Sequence, residues 1–136
     1  FRHDRSRVRQ QVKRIYELFP VLYSRRQSRA TELSGGQAKM LSIAKEIIDD
    51  PDVLLVDEPS AGLAPKVAGE VYDLLVKIRD VLGTTIILVD QNIEQSVEIA
   101  DYVYMFNLGR VKEHGPAGEF TLNRIRGLLR ECLLGA

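Results

Sequence analysis

The sequence predicts an α/β fold, with parallel sheet strands and covering helices preceded by a mainly helical, basic segment. Three observations carry this. Val53-Leu54-Leu55-Val56 and Thr85-Ile86-Ile87-Leu88-Val89 are short apolar runs without alternation, bounded by turn residues, the pattern of strands buried on both faces. Between them Val67, Val71, Leu74, Leu75, Ile78 and Leu82 recur at helical spacing, opened by Pro65 and closed by Gly83. A strand, helix and strand in that order form one crossover, expected to be right-handed. Finally, 136 residues with 45% hydrophobic and 28% charged side chains have the balance of a soluble globular chain of roughly one domain.

The remaining elements follow from the same periodicities. Val8, Val12, Ile15, Tyr16 and Phe19 lie on one helical face, and Pro20 is the expected stop. Residues 23–32 are polar and irregular. Ser34-Gly35-Gly36 opens a second helix with Met40, Leu41, Ala44, Ile47 and Ile48 on one face, ended by Asp49-Asp50-Pro51. After the second strand a short helix fits Ile93 to Ala100. Tyr102 to Asn107 and Arg110 to His114 then flank Leu108-Gly109 as a hairpin. Ile125, Leu128, Leu129, Cys132 and Leu133 form a last helical stripe. There is no internal repeat and no low-complexity linker.

Composition excludes several classes. The longest apolar stretch, Tyr102 to Phe106, is far short of the roughly 20 residues a helix needs to span a bilayer. The start, Phe1-Arg2-His3-Asp4, has no signal pattern, and its lack of an initiator methionine suggests a missing upstream part. Cys132 is the single cysteine, without an internal disulfide partner or zinc-spaced companions, which suits a reducing compartment. Net charge is zero, yet residues 1–30 carry nine Lys or Arg against Asp4 and Glu17. Such a basic head fits either a solvated helix face or an anionic partner. Its dispersed charges and few aromatics favour the former over nucleic acid.

Three places have the residue types for phosphate chemistry. At Leu33-Ser34-Gly35-Gly36-Gln37, glycines let the backbone approach a ligand, and a helix amino terminus presents unpaired N–H groups. Ser34 can cap that helix and offer its hydroxyl to a phosphate oxygen; the same residues also read as a flexible turn with a cap. At Val53 to Pro59 a buried strand ends in two acids, at the carboxyl edge where α/β sites lie. Asp57 would hold Mg²⁺, and Glu58 would orient or deprotonate an attacking water, unless the pair merely terminates the strand. Gln91, just past the next strand, could donate to a γ-phosphate or the lytic water, or serve only as a polar helix entry, with Asn92 as cap.

Taken in order, these residues resemble the C-terminal half of an ABC transporter ATPase. Leu33 to Gln37 match the signature motif, Val53 to Glu58 the Walker B strand with its following glutamate, and Ser60-Ala61-Gly62-Leu63 the D-loop. The three together are far more specific than any one. Ser60 to Pro65, Val89 to Asn92, Met40 and Tyr16-Glu17-Leu18-Phe19-Pro20 look most like the ATPases of branched-chain amino-acid importers, where glutamine replaces the usual switch histidine.

The resemblance implies the C-terminal part of a P-loop (RecA-like) ABC ATPase domain. Residues 1–50 would be the end of the helical subdomain with the signature helix, and residues 51–136 part of the RecA-like catalytic subdomain with C-terminal helices. It implies ATP and Mg²⁺ as cofactors, a second ABC ATPase subunit and transmembrane permease subunits as partners, and a cytoplasmic location on the inner face of the cell membrane. Glu58 and Gln91 would be catalytic, Asp57 the metal ligand, and Ser34, Gly35, Gly36 and Gln37 nucleotide contacts. Arg2, Arg5, Arg9 and Lys13 could face an acidic partner or lipid headgroups. None of the ten glycines precedes a lysine, so the chain lacks a Walker A loop and is expected to bind ATP poorly alone. Two rival readings are a truncated, non-catalytic regulatory half and a non-transport ABC ATPase acting on nucleic acid.

Overall fold

The computed structural model describes residues 5–134, with side chains described as far as Cys132. They group into two compact units, one ending at Gln91 and the other beginning at Asn92.

In the first unit, helix α1 (Arg5–Leu18) turns Ile15 and Leu18 inward. It ends before Pro20 as expected, with Phe19 non-helical, and Pro20 is also the first residue of a second helix, α2 (Pro20–Ser24). Proline suits that position because its φ is already helical and its missing N–H would have had no intrahelical partner. The polar stretch that follows contains a 3₁₀ turn, Ala30–Glu32, and the Arg26 guanidinium lies 4.2 Å over the Tyr23 ring. Helix α3 (Gly35–Glu46) buries Met40, Ile43 and Ala44, with Ile47 buried just past its end. These four are spaced i, i+3, i+4, i+7, so Ile43 takes the inward place while Leu41 and Ile48 are only half-buried. Arg14 pairs with Asp50, and Gln11 donates to Asp49 at 3.3 Å, so part of the basic head is used inside the unit. Arg5, Arg9 and Lys13 are exposed; Arg2 lies outside the described residues.

Strands β1 (Val53–Asp57) and β2 (Thr85–Val89) pair in parallel, Val53 opposite Thr85 through Asp57 opposite Val89, joined by helix α4 (Pro65–Leu82). Helix α4 buries Val71, Leu75 and Ile78 completely, worth about 1.5–3 kcal/mol each. It closes on Gly83, whose φ of 70° is left-handed and whose N–H bonds to the Arg79 carbonyl. Thr84, 2% exposed, donates its hydroxyl to the Pro51 carbonyl at 3.1 Å and fixes the entry to β2.

Parallel pairing was expected; burial on both faces was not met. Leu54 and Val56 are buried, whereas Val53, Leu55, Ile87 and Val89 on the other face are 51, 74, 53 and 60% exposed. The first unit's helices cover one side only, so an unalternating apolar sequence forms strands with an open apolar face.

The second unit begins with helix α5 (Ile93–Ile99), capped by the Asn92 side chain, which accepts from the Gln95 N–H at 3.4 Å. Strands β3 (Tyr102–Asn107) and β4 (Arg110–Pro116) form the expected hairpin. Leu108 and Gly109 have φ of 48° and 75°, the two left-handed residues of a tight turn whose twist matches its strands. Helix α6 (Leu122–Leu134) buries Ile125, and Phe120 before it is also buried, while Leu129 is exposed and the Leu133 side chain lies outside the described residues. Lys112 bonds Glu131 at 3.1 Å, which raises the lysine pKa above 10.5. No helix among the described residues is long and apolar enough to cross a membrane.

Candidate functional site

Strands β1 and β2 end side by side, and their exits carry three of the candidate residues. Asp57 is the last residue of β1, on the open face; among the described residues its carboxylate has no hydrogen-bond or ion-pair partner. The ladder continues one rung further, with the Glu58 N–H donating to the Val89 carbonyl at 2.7 Å. There the chain bends. Glu58 has a φ of 43°, a left-handed conformation that costs a non-glycine residue of order 1–3 kcal/mol and persists only where its surroundings impose it. Pro59, next along, is fully buried.

The turn beyond is closed by two short-range bonds, Ala61 N–H to the Glu58 carbonyl at 3.3 Å and Leu63 N–H to the Ser60 carbonyl at 3.1 Å, with Gly62 at a φ of 73°. Across from it, Gln91 donates its side-chain amide to Oε2 of Glu58 at 3.1 Å. An ionised carboxylate can only accept, so the amide nitrogen must face it. Asp90, not singled out in the sequence, accepts twice from Ser60, at Oδ1 from the hydroxyl (2.8 Å) and at Oδ2 from the N–H (3.3 Å). The available signal was its position, a carboxylate between a strand's end and a candidate amide.

The other four candidates sit at the start of α3. Ser34 is the N-cap: its Oγ accepts from the Gln37 N–H at 3.3 Å, and its own N–H donates to Oε1 of Gln37 at 3.1 Å. This reciprocal capping box occupies the Gln37 side chain. Ser34 and Gly35 are exposed, and the first N–H groups of the helix have no intrahelical acceptor. Gly36 behaves differently. It is buried, and a Cβ there would overlap Cγ1 of Val67, so its lack of a side chain serves the approach of α3 to α4 and not a ligand. A Cβ on Gly35 would lie 3.5 Å from Leu63, so the two groups of candidates adjoin through Leu63; among the described residues no hydrogen bond joins them.

The strand exits therefore offer one carboxylate without a partner among the described residues, a second held by an amide, and solvent access to both. No group of three metal-ligating side chains exists among the described residues. A divalent ion at Asp57 would need ligands from phosphate and water, the usual situation of magnesium with a nucleotide. The donor set fits such an ion, and the exposed amino end of α3 fits a phosphate.

Residues 3–61 match the family model described as ABC transporter. The chain is 38% identical over 116 residues to a probable branched-chain amino acid transport ATP-binding protein, LivF, of Archaeoglobus fulgidus, covering 85% of this chain and 49% of that one. It is 35% identical over 120 residues to the high-affinity branched-chain amino acid transport ATP-binding protein BraG of Pseudomonas aeruginosa, covering 88% and 51%. Among solved structures, cbiO1 of Clostridium perfringens, part of the ABC transporter complex cbiONQ, superposes with a TM-score of 0.78 at 31% identity over 93% of this chain and 52% of that one. The chain spans about half the length of the curated relatives it matches.

Proposed function

We propose, from the premise that the chain belongs to the ABC transporter ATP-binding family, that it forms the C-terminal portion of the ATP-hydrolysing subunit of an importer for branched-chain amino acids or similar solutes. Residues 1–50 then belong to the helical subdomain and 51–136 to the catalytic one. The observation that carries the reading is the Glu58–Gln91 hydrogen bond at the joined exits of two parallel strands, beside an Asp57 carboxylate that has no partner among the described residues.

On this reading Glu58 polarises the attacking water. Gln91 holds one carboxylate oxygen, which leaves the other aimed at solvent and fixes the direction in which a proton is drawn. Gln91 donates without taking up charge, so it orients and does not titrate. Asp57 holds the metal from the end of β1. A Mg²⁺ ion held there would supply positive charge beside the triphosphate. Ser34 and the N–H groups of Gly35 and Gly36 meet the phosphates of a nucleotide held by a second ATPase subunit, with Gln37 keeping the cap in shape. Arg5, Arg9 and Lys13, the last paired with Glu17 at 3.8 Å, lie exposed on α1, where they would meet transmembrane permease subunits at the cytoplasmic face of the membrane.

The test is Glu58→Gln in the complete ATP-binding subunit. Turnover is expected to fall about 10²–10⁴-fold, the range of a positioned general base, while ATP is still retained. Unchanged turnover would exclude the role of Glu58, and failure of the subunit to retain or hydrolyse ATP at all would exclude the reading as a whole.

A further inference from the structure

We propose that Asp90 is a positioning residue, which clamps Ser60 and thereby holds Glu58 in the strained conformation in which Gln91 can reach it; this rests on the role proposed for Glu58. Three links knit the two strand exits in alternation: Glu58 N–H to the Val89 carbonyl, Ser60 to Asp90, and Gln91 to Glu58. Along one exit they fall on residues 58, 60 and 58 again, and along the other on 89, 90 and 91. Among the described residues, the Asp90 link is the only hydrogen bond from the second exit to the turn beyond Pro59. The turn is otherwise held by its own short-range bonds, by the burial of Pro59 and by its run into α4.

A left-handed φ at Glu58 needs restraint from both sides. The Val89 carbonyl supplies it before the bend, and the Asp90 carboxylate, accepting from both the hydroxyl and the N–H of Ser60, supplies it after. The double acceptance fixes the orientation of Ser60 as well as its distance. Released, Glu58 relaxes toward ordinary φ, and its carboxylate swings away from Gln91. Asp90 thus acts through Glu58 and touches no reacting atom.

The experiment compares Asp90→Ala, Ser60→Ala and Ser60→Thr in the complete ATP-binding subunit, each also combined with Glu58→Gln. Asp90→Ala is expected to lower kcat about 10- to 100-fold with little change in KM for ATP, the scale of a small misplacement of a catalytic group. Ser60→Ala follows in the same direction and Ser60→Thr, which keeps the hydroxyl, restores the rate. In the Glu58→Gln background Asp90→Ala is expected to cost nothing further. An equal loss in that background, a rise in KM alone, or an unchanged kcat would overturn the clamp. Amide hydrogen exchange of the 136-residue chain separates this from the parent reading: Asp90→Ala should strip protection from the Ser60 and Ala61 amides and leave α4 protected. If no form hydrolyses ATP, the parent reading fails, and exchange alone decides the clamp, with unchanged protection at Ser60 refuting it.

Discussion

At the scale of single residues, Gly36 and Glu58 show how little a residue's type says until its neighbours are known. Gly36 looks like backbone laid bare for a phosphate, yet its missing Cβ is filled by Val67 on α4. Valine is stiff at χ1, so it cannot simply turn aside. Gly36→Ala is therefore expected to destabilise the chain by about 1–3 kcal/mol, the usual penalty of overpacking, measured by urea unfolding. The double change Gly36→Ala with Val67→Ala should recover most of the loss; equal stability of the single variant and the wild type would refute the contact. Glu58 gives the opposite lesson. Its acid was recognisable from the strand it follows, but its left-handed φ and its bond to Gln91 join residues 33 apart in sequence.

At the scale of elements, capping and periodicity were legible and helix phase was not. The cap at Ser34 is a local property: a hydroxyl three residues before a glutamine closes the box wherever the helix is placed. Ser34→Ala should cost about 1 kcal/mol in unfolding free energy, and Ser34→Thr much less. If Ser34 also meets a phosphate, Ser34→Ala will lower turnover at saturating ATP in the complete subunit while the folded fraction stays near one; a rate that simply tracks the folded fraction would reduce Ser34 to a cap. The inward face of α3, by contrast, includes Ile43 where Leu41 and Ile48 also fitted the pattern, because several apolar stripes suit one helix and its neighbour selects among them. Pro20 marks the end of α1 in the sequence, and the structure adds that it also opens α2. Both roles look alike without the next residues' dihedrals.

At the scale of the whole molecule, the open face of the β1–β2 pair is the dominant feature. Val53, Leu55, Ile87 and Val89 share it, with Leu55 directly opposite Ile87, and exposed apolar strands drive association. The chain alone is expected to self-associate, and Leu55→Asp should weaken this by tenfold or more, since hiding a leucine is worth about 1.5–3 kcal/mol. Sedimentation of the two forms at matched concentrations checks it; a wild-type chain that stays monomeric at high concentration would contradict it. The longer helices and the strands, the parallel crossover, the caps and the chemical nature of the candidate groups were determined by sequence alone, because each depends on residues within one turn, one strand or one motif. Which face of each strand is covered, why Gly36 is a glycine, and how Asp90 and Gln91 fasten the bend at Glu58 were decided by the tertiary structure. Those contacts join α3 to α4 and the two strand exits that α4 separates, and no local periodicity encodes the distance between surfaces that meet only after the chain has folded back.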